Sequence, residues 1–467
     1  MSNYIKKANG IKLGFEEVEK SSSIKSLILL DNFIPLCEKV AELYFSFSKG
    51  SGMYKTLINM LFLKSNRLRA IAAVIEYSKH AEITEVVYET DLSPFRSFFT
   101  GGEKISFIHL QQSPASWINS SERIISIFKW VANILFTLYF LLVGRKKTKK
   151  GIKSVIRTWV DDAEKIYGDK YESSVIFIHP FFLNPIRGIK YIVHCFKTYR
   201  NVTLIGIPYQ LGDLMSVVFS GGINFDKALV YFEAKAMKNH VHHYSTFDII
   251  YASDEYMVNA HLLYYDLMIN GKTVINKAHG IGYYSPYVEY SEMHMYNENQ
   301  VDHYRKRNPH IRYYLLDEYQ VSEYKFAEKK PSAIIFIDHG NLEQFNLYYE
   351  ADLQQKILDQ LRETASDLGI SLFIKFSPQT LAAAQSRFHK KFPEYQTCSN
   401  LTAIRDSYNA IFVNMFSTAY YDFSRFGKIL FIETEVFKPN LMFGNNIECV
   451  GLSGLTTTVK QIINTNI

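Results

Sequence analysis

A chain of 467 residues is longer than one ordinary hydrophobic core supports, so two or three domains are expected. With 47% hydrophobic and 21% charged residues and no long polar stretch, the composition is that of a folded globular protein and excludes a disordered one. The net charge of +6 falls short of a nucleic-acid-binding signature, and four widely spaced cysteines (Cys37, Cys195, Cys398, Cys449) without a CxxC pair argue for a reducing compartment and against a structural zinc site.

Taken in chain order, the first twenty residues hold no apolar run of the secretory kind, so no signal peptide is expected. The first predicted strands are "EVVYE" (85–89) and "ISFIHL" (105–110). A helical region then follows over about 115–165. Within it, "IISIFKWVANILFTLYFLLV" (124–143) is about long enough to cross a bilayer and is followed by Arg145, Lys146, Lys147, Lys149 and Lys150. Three readings stand: a buried or domain-edge helix, a helix lying in a membrane interface, and a true span. Lys129 and Asn133, one turn apart, make a lipid-facing span costly, and the basic cluster suits anionic headgroups, which favours membrane contact without spanning. The same region ends in "VIRTWVDDAEKIY", read as a helix with Asp161 and Asp162 on its solvated face.

Beyond it, continuous apolar runs recur: "SVIFIHP" (174–180), "VTLIGIP" (202–208), "DIIYAS" (248–253), "TVINKAHG" (273–280) and "RYYLLD" (312–317). After "AEKKPS" (327–332) a second series begins with "AIIFIDHG" (333–340), "SLFIKFSP" (371–378), "AIFVNMF" (410–416) and "ILFIET" (429–434). Continuous rather than alternating patterns indicate strands buried on both faces, as in parallel sheets. Between them lie amphipathic stretches such as "ADLQQKILDQLRETASDLG", stopped by Gly369. The alternation predicts an α/β chain of two Rossmann-like, doubly wound domains facing a cleft, residues 1–328 and 329–467, with the extra helical region in the first.

In such folds ligands bind past the carboxyl ends of the strands, and the polar residues cluster there. The second series offers Asp338, His339 and Gly340, then Lys375, Ser377 and Pro378, then Ser417 and Thr418 at a helix start suited to phosphate oxygens, then Glu433 and Glu435. Each has a plainer reading alone: Ser417 as a helix cap, Lys375 as a snorkelling surface lysine. In the first series the conspicuous strand end is "KAHGIGYYSPY". Lys277, His279 and Gly280 are followed by Tyr283, Tyr284 and Tyr287, whose flat rings and hydroxyls suit a sugar wall. His279 can equally be a structural histidine in a glycine-rich turn. His179 and Pro180 could line the same side. "NHVHHY" (His240, His242, His243) invites a metal, but no neighbouring ligand completes a set. No DxD triplet, Walker A or GxGxxG fingerprint stands after a strand, so neither a metal nor a cofactor is expected.

The series of strand, Asp-His-Gly, a lysine and proline past the next strand, Ser-Thr-Ala before a helix, and Gly-Lys-Ile-Leu running to Glu433 resembles the C-terminal half of GT-B glycosyltransferases. It is nearest to bacterial enzymes of capsule and O-antigen synthesis that include sialyltransferase-like and polyol-phosphate transferase-like members. The resemblance implies that the C-terminal domain holds a nucleotide-linked sugar. Lys375 and Pro378 match a Lys-Pro-His-Pro-like segment, with Ser377 where histidine is usual, and Ser417 and Thr418 match a phosphate-binding pair. His339, Gly340 and Glu433 would complete the donor side. His279 is similar to the histidine of a Trp-His-Gly segment that serves as acceptor base, with Lys277, Gly280, Tyr283 and Tyr284 on the acceptor side.

The expectation is therefore metal-independent sugar transfer from a CMP-, UDP- or similar donor to a growing surface glycan or glycolipid. It would take place in the cytoplasm, peripheral to the inner membrane, with no nucleic acid involved. Inverting transfer needs a base near neutral pH and positive groups for the departing phosphate. Two alternatives remain open: polyol-phosphate transfer from a CDP-linked donor, and a non-catalytic binding or assembly protein of a polysaccharide pathway, which the Ser377 departure favours.

Overall fold

The computed structural model of the chain describes residues 3–15, 17–18, 33–110, 115–143, 151–158, 162–179, 185–280, 285–316, 324, 326–327, 330–337, 351–376, 385, 390, 395–398, 401–414, 423–424, 426–433, 439–444 and 447–465. Among these residues the strands form three sheets. In the first, β1 (Tyr4–Lys7) pairs antiparallel with β2 (Lys12–Gly14) and β3 (Ile83–Tyr88), and β3 runs parallel to β4 (Ser106–His109). Helices α1 (Phe33–Tyr44), α2 (Gly52–Lys64) and α3 (Asn66–Tyr77) share its core. Ser51 and Ser65 cap the last two by accepting the amides of Tyr54 and Leu68.

The second sheet is wound from its middle. The chain leaves α4 (Ser121–Val143) for β5 (Ser154–Thr158), α5 (Asp162–Tyr167), β6 (Val175–Ile178), α6 (Pro185–Thr198) and β7 (Val202–Leu204). Helices α7 (Leu211–Phe219) and α8 (Gly222–Lys238) carry it back across to β8 (Ile249–Ala252), from which α9 (Ala260–Ile269), β9 (Thr273–Lys277), β10 (Glu292–Met295), α10 (Glu298–Arg305) and β11 (Arg312–Leu315) follow. The strand order is β11-β10-β9-β8-β5-β6-β7, parallel throughout, so the winding reverses between β5 and β8.

The third sheet repeats the plan. It is built from β12 (Ser332–Ile337), α11 (Ala351–Leu368), β13 (Ser371–Lys375), β14 (Gln396–Thr397), α12 (Leu401–Ser407), β15 (Asn409–Asn414), β16 (Gly427–Glu433), α13 (Pro439–Phe443), β17 (Cys449–Gly451) and α14 (Leu455–Thr465). Its order is β14-β13-β12-β15-β16-β17, again all parallel, with the reversal between β12 and β15. Inner strands alternate their side chains between two apolar layers. Ile335, Phe412 and Phe431 point one way, while Ile334, Ile411 and Leu430 meet Ile357 and Leu361 of α11 and Val459 of α14 on the other. Gly427 admits the close approach of two of these strands, since a Cβ there would lie 2.3 Å from the Ala410 carbonyl oxygen.

The α/β expectation with two doubly wound sheets therefore holds. All of the third sheet's buried apolar residues come from position 333 onward, while one core joins the first sheet to the second. Asn409 ties down the connection into the third sheet: its amide donates to the carbonyls of Ala327 and Lys330 and its carbonyl accepts the Ala327 N–H. The helical reading of 115–165 needs one correction. Residues 154–158 are the central strand β5, because Val155, Ile156, Arg157 and Thr158 are all buried, and a charged residue in a buried strand imitates a helix's polar face.

Candidate functional site

The carboxyl edge of the second sheet is built on a buried charge. Arg157 of β5 pairs with Asp254, two residues past β8, and neither side chain reaches solvent. The Tyr264 hydroxyl donates to Asp254 Oδ2 (2.7 Å) and the Tyr290 hydroxyl to Oδ1 (3.2 Å), while Arg157 also donates to Tyr264 (2.9 Å). A buried ion pair needs such bonds to offset its desolvation. Here they join β5, β8, α9 and the segment before β10 at the point where the winding reverses. The sequence signal for this floor is the Asp-Glu pair after "DIIYAS", and a helical reading of β5 hides it.

Beside Asp254 stands Glu255, 1% exposed. Its Oε1 accepts the backbone N–H of His279 at 2.5 Å and its Oε2 accepts the Asn276 amide at 3.2 Å, while the Asn276 carbonyl accepts the Asp254 N–H. Burial pushes the Glu255 carboxyl above its ordinary value, against the pull of His279 and of these N–H donors. His279 itself is half-buried, two residues beyond β9, with its ring 5.4 Å from that of Tyr256. The turn is held from the other side as well, where Ala278 N–H donates to the His294 carbonyl and Gln300 Nε2 to the Gly280 carbonyl at 2.8 Å. His279 thus sits on a segment fixed at four successive residues, since Tyr167 accepts the Lys277 N–H.

The other expected acceptor-side residues divide. Lys277 directs its ammonium to the Ile166 carbonyl at 3.1 Å and over the Tyr167 ring. Tyr287 does not wall the site: its hydroxyl donates to Glu38 of α1 and its N–H to Asn59 of α2. His179 does not line it either, being fully buried with a ring nitrogen 3.0 Å from the Tyr244 hydroxyl. His240 is buried against His179 with ring centroids 5.0 Å apart, while His242 bonds the Asn239 carbonyl. Among the described residues no group of three or more His, Cys, Asp or Glu side chains is arranged to hold a metal. Tyr283 and Tyr284 lie outside the described residues.

On the third sheet, Lys375 is the last residue of β13 and Glu433 the last of β16, both half-buried. Each lies one strand outside the reversal between β12 and β15. Three strand spacings put them about 14 Å apart along one carboxyl edge. His339, Gly340, Ser377, Pro378, Ser417 and Thr418 lie outside the described residues.

A second surface concerns α4. Its polar residues face inward: Glu122 and Ser126 are buried, and Lys129 Nζ lies 2.5 Å from Glu233 of α8. Glu233 in turn accepts the Asn259 amide at 2.7 Å. Asn133 and Thr137 pack over Gly206, where a Cβ would lie within 2.8 Å of both. The outward stripe is Ile124, Phe128, Val131, Leu135 and Leu138, with Phe128 68% exposed. Alongside it α7 exposes Leu211, Met215 and Phe219, one turn apart. This reverses the usual amphipathic order of a surface helix. No acidic residue occurs between Glu122 and Asp161, a stretch that includes the basic cluster at 145–150. Among the described residues no helix is long and apolar enough to cross a membrane.

The fold and these edges define an α/β protein with two Rossmann-type parallel sheets in series. No known protein family and no curated protein matches the chain. Among solved structures it is similar to MurG from Acinetobacter baumannii, at 11% identity and a TM-score of 0.39, over 67% of this chain and 90% of that one. It is also similar to a GtfA/B complex, at 9% identity and a TM-score of 0.33, over 49% of this chain and 53% of that one. Likeness at this level lends the chain no chemistry, which has to come from its own residues.

Proposed function

We propose that the chain is a GT-B type glycosyltransferase that moves a sugar from a nucleotide-linked donor to a glycan or glycolipid acceptor at a membrane surface. The observation that carries this reading is the pair of doubly wound parallel sheets in one chain, each with ligand-capable groups on its carboxyl edge. Residues 1–328 are the acceptor side and 329–467 the donor side. Contacts between the two include Asn299 of α10, whose amide donates to the Asn440 carbonyl of α13 at 3.1 Å, and the bonds of Asn409 with Ala327.

In this reading His279 takes the acceptor proton without a metal, supported by a turn whose backbone is bonded on both sides. Lys375, with Ser377, Pro378, Ser417, Thr418, His339, Gly340 and Glu433, holds the donor. Positive charge and helix N-termini at that edge stabilise the departing phosphate. The inverted α4 supports peripheral contact with a bilayer. Polyol-phosphate transfer from a CDP-linked donor uses the same parts. The Ser377 departure supports the other reading, a non-catalytic binding protein with a donor site that has lost its histidine.

Thermal-shift measurements with CMP, CDP, UDP and GDP test the proposal. One of the four raises the melting temperature and the Lys375→Ala variant loses that rise. No shift with any nucleotide would overturn the donor site, and the identity of the stabilising base names the donor class.

A further inference from the structure

Resting on the reading of His279 as acceptor base, we propose that Gln300 is the positioning residue of the His279 turn and sets it according to the seating of the donor side. The stretch "YNENQ" (296–300) has the form of a helix start, with Asn297 as cap and Gln300 at the capping-box position three residues on. The cap forms: Asn297 Oδ1 accepts the Gln300 N–H at 3.1 Å, and Gln300 Oε1 turns back to accept the Tyr296 N–H at 3.1 Å. Capping uses only the oxygen of the Gln300 amide. Its Nε2 donates instead to the Gly280 carbonyl at 2.8 Å. Gln300 is fully buried, and an interior amide costs stability unless both its ends are bonded. What a glutamine adds here over an apolar side chain of the same length is a hold on Gly280, the residue after His279.

The residue before it reaches the other way. Asn299 Nδ2 donates to the Asn440 carbonyl of α13 at 3.1 Å. The Phe443 ring of α13 lies 4.6 Å from that of Phe431 on β16, the strand whose carboxyl end is Glu433. Tyr296, just ahead of the cap, packs against the apolar cores of both units. Two consecutive residues in the first turn of α10 therefore join the donor-side strand β16 to the turn of His279. The remaining bonds to that turn come from the second sheet's own elements. Tyr167 accepts the Lys277 N–H, the His294 carbonyl accepts the Ala278 N–H, and Glu255 accepts the His279 N–H. The chain connection enters the third sheet elsewhere, where Asn409 begins β15 and bonds Ala327.

A donor-side unit seated on α10 thus holds Gln300 under the turn, and His279 is set for an acceptor. A unit displaced from α10 gives up the Asn299 bond and loosens the grip on Gly280. The acceptor base is then in place only while the donor side is seated, which keeps acceptor activation in step with the donor.

The test is hydrogen–deuterium exchange of residues 275–280, read by mass spectrometry on the wild-type chain, Asn299→Asp, Gln300→Met and the double variant. Asn299→Asp is isosteric and half-buried, and it sets an acceptor against the Asn440 carbonyl. An acid in the first turn favours α10 itself, so any loosening comes from the seam and not from the helix. Asn299→Asp should speed exchange about fivefold, the factor that goes with one lost hydrogen bond, and Gln300→Met should do the same. In the double variant the two effects should not multiply, because both break one link. A Gln300 with a merely structural role would speed exchange when replaced and leave Asn299→Asp without effect. Unchanged exchange in Asn299→Asp, or effects that multiply in the double variant, overturns the proposal. Should Gln300→Met not fold, Gln300→Glu takes its place, since an ionised glutamate keeps the capping oxygen and has no hydrogen for Gly280. No nucleotide enters the measurement. A failed nucleotide screen therefore overturns the donor reading alone, and an unlinked turn overturns the role of Gln300 alone.

Discussion

Lys129 and Glu233 form an ion pair of 2.5 Å on the inner side of α4, the helix whose outer side is apolar. The carboxylate is almost fully buried, the ammonium 18% exposed, and Asn259 donates a further bond to the carboxylate. Burial alone lowers the lysine's hold on its proton, but Glu233 outweighs this and keeps it above the ordinary value. Removing one partner leaves an uncompensated charge, so Glu233→Ala is expected to destabilise the chain by about 3–5 kcal/mol in urea denaturation. The double variant Lys129→Met with Glu233→Leu should lose less than the sum of the single losses, and a strictly additive cycle would contradict a direct pair.

The outward face of α4 gives a prediction that does not depend on catalysis. Vesicles rich in phosphatidylglycerol should carry the wild-type chain through a flotation gradient, and phosphatidylcholine vesicles should carry it less. Phe128→Glu combined with Leu135→Glu should weaken that partition by at least about tenfold, since each buried apolar side chain contributes about 2 kcal/mol. Exposed positions tolerate such changes, so the melting temperature should hold. Equal flotation of the variant would rule out this face.

Gly206 supplies the seat for α4. A methyl group there meets Asn133 Oδ1 at 2.7 Å and Thr137 Oγ1 at 2.8 Å. Gly206→Ala is expected to destabilise by about 1–3 kcal/mol through overpacking. Adding Asn133→Ala should restore part of that loss. Calorimetry on the single and double variants decides it.

Acid should weaken the fold through its buried histidines. Burial lowers the His261 pKa to about 4, and its ring is held by Thr56, Asn59 and Gly52, while His179 and His240 are also pushed well below the ordinary value by burial. Above pH 6.5 these rings are neutral whether the chain is folded or not, so they confer no pH dependence there. Between 6.5 and 4 the unfolded chain takes up protons that the folded chain refuses, and stability falls by about 3 kcal/mol for His261 alone. Asp226, raised by burial to about 6, acts with the opposite sign: its folded form keeps a proton that the unfolded chain releases, which favours the fold at low pH and is lost as pH rises through 6. Urea midpoints measured from pH 7.5 to 4 should drop, and His261→Gln should flatten the drop. A pH-independent midpoint would contradict the buried neutral rings.

Much of the architecture is legible in the sequence because the inner strands of parallel sheets are apolar on both faces. "AIIFI", "AIFVN" and "ILFIE" each form a strand of the third sheet, and the polar last residues of the second and third, Asn414 and Glu433, mark its carboxyl edge. Short strands escape. Glu292–Met295 carries only two apolar side chains, both inward, and Ser154–Thr158 contains an arginine whose partner lies nearly a hundred residues away. Without β5 the reversal point is hidden too, so Asp254 and Glu255 do not stand out although they follow a predicted strand. Tyr287 misleads for a similar reason, because its role depends on Glu38, which no local pattern connects to it.

By itself the sequence determined the α/β alternation and the strand end that carries His279, since each follows from short-range periodicity and punctuation. Only the tertiary structure decided which side of 124–138 faces outward and what stands behind His279. Lys129 in a run of apolar residues reads as a flaw in a membrane segment until Glu233 is seen opposite it. Glu255 reads as an ordinary charged residue until burial takes it out of solvent and its oxygen is found on the His279 amide. Both roles rest on long-range pairing in a dry interior, where one partner sets the meaning of the other.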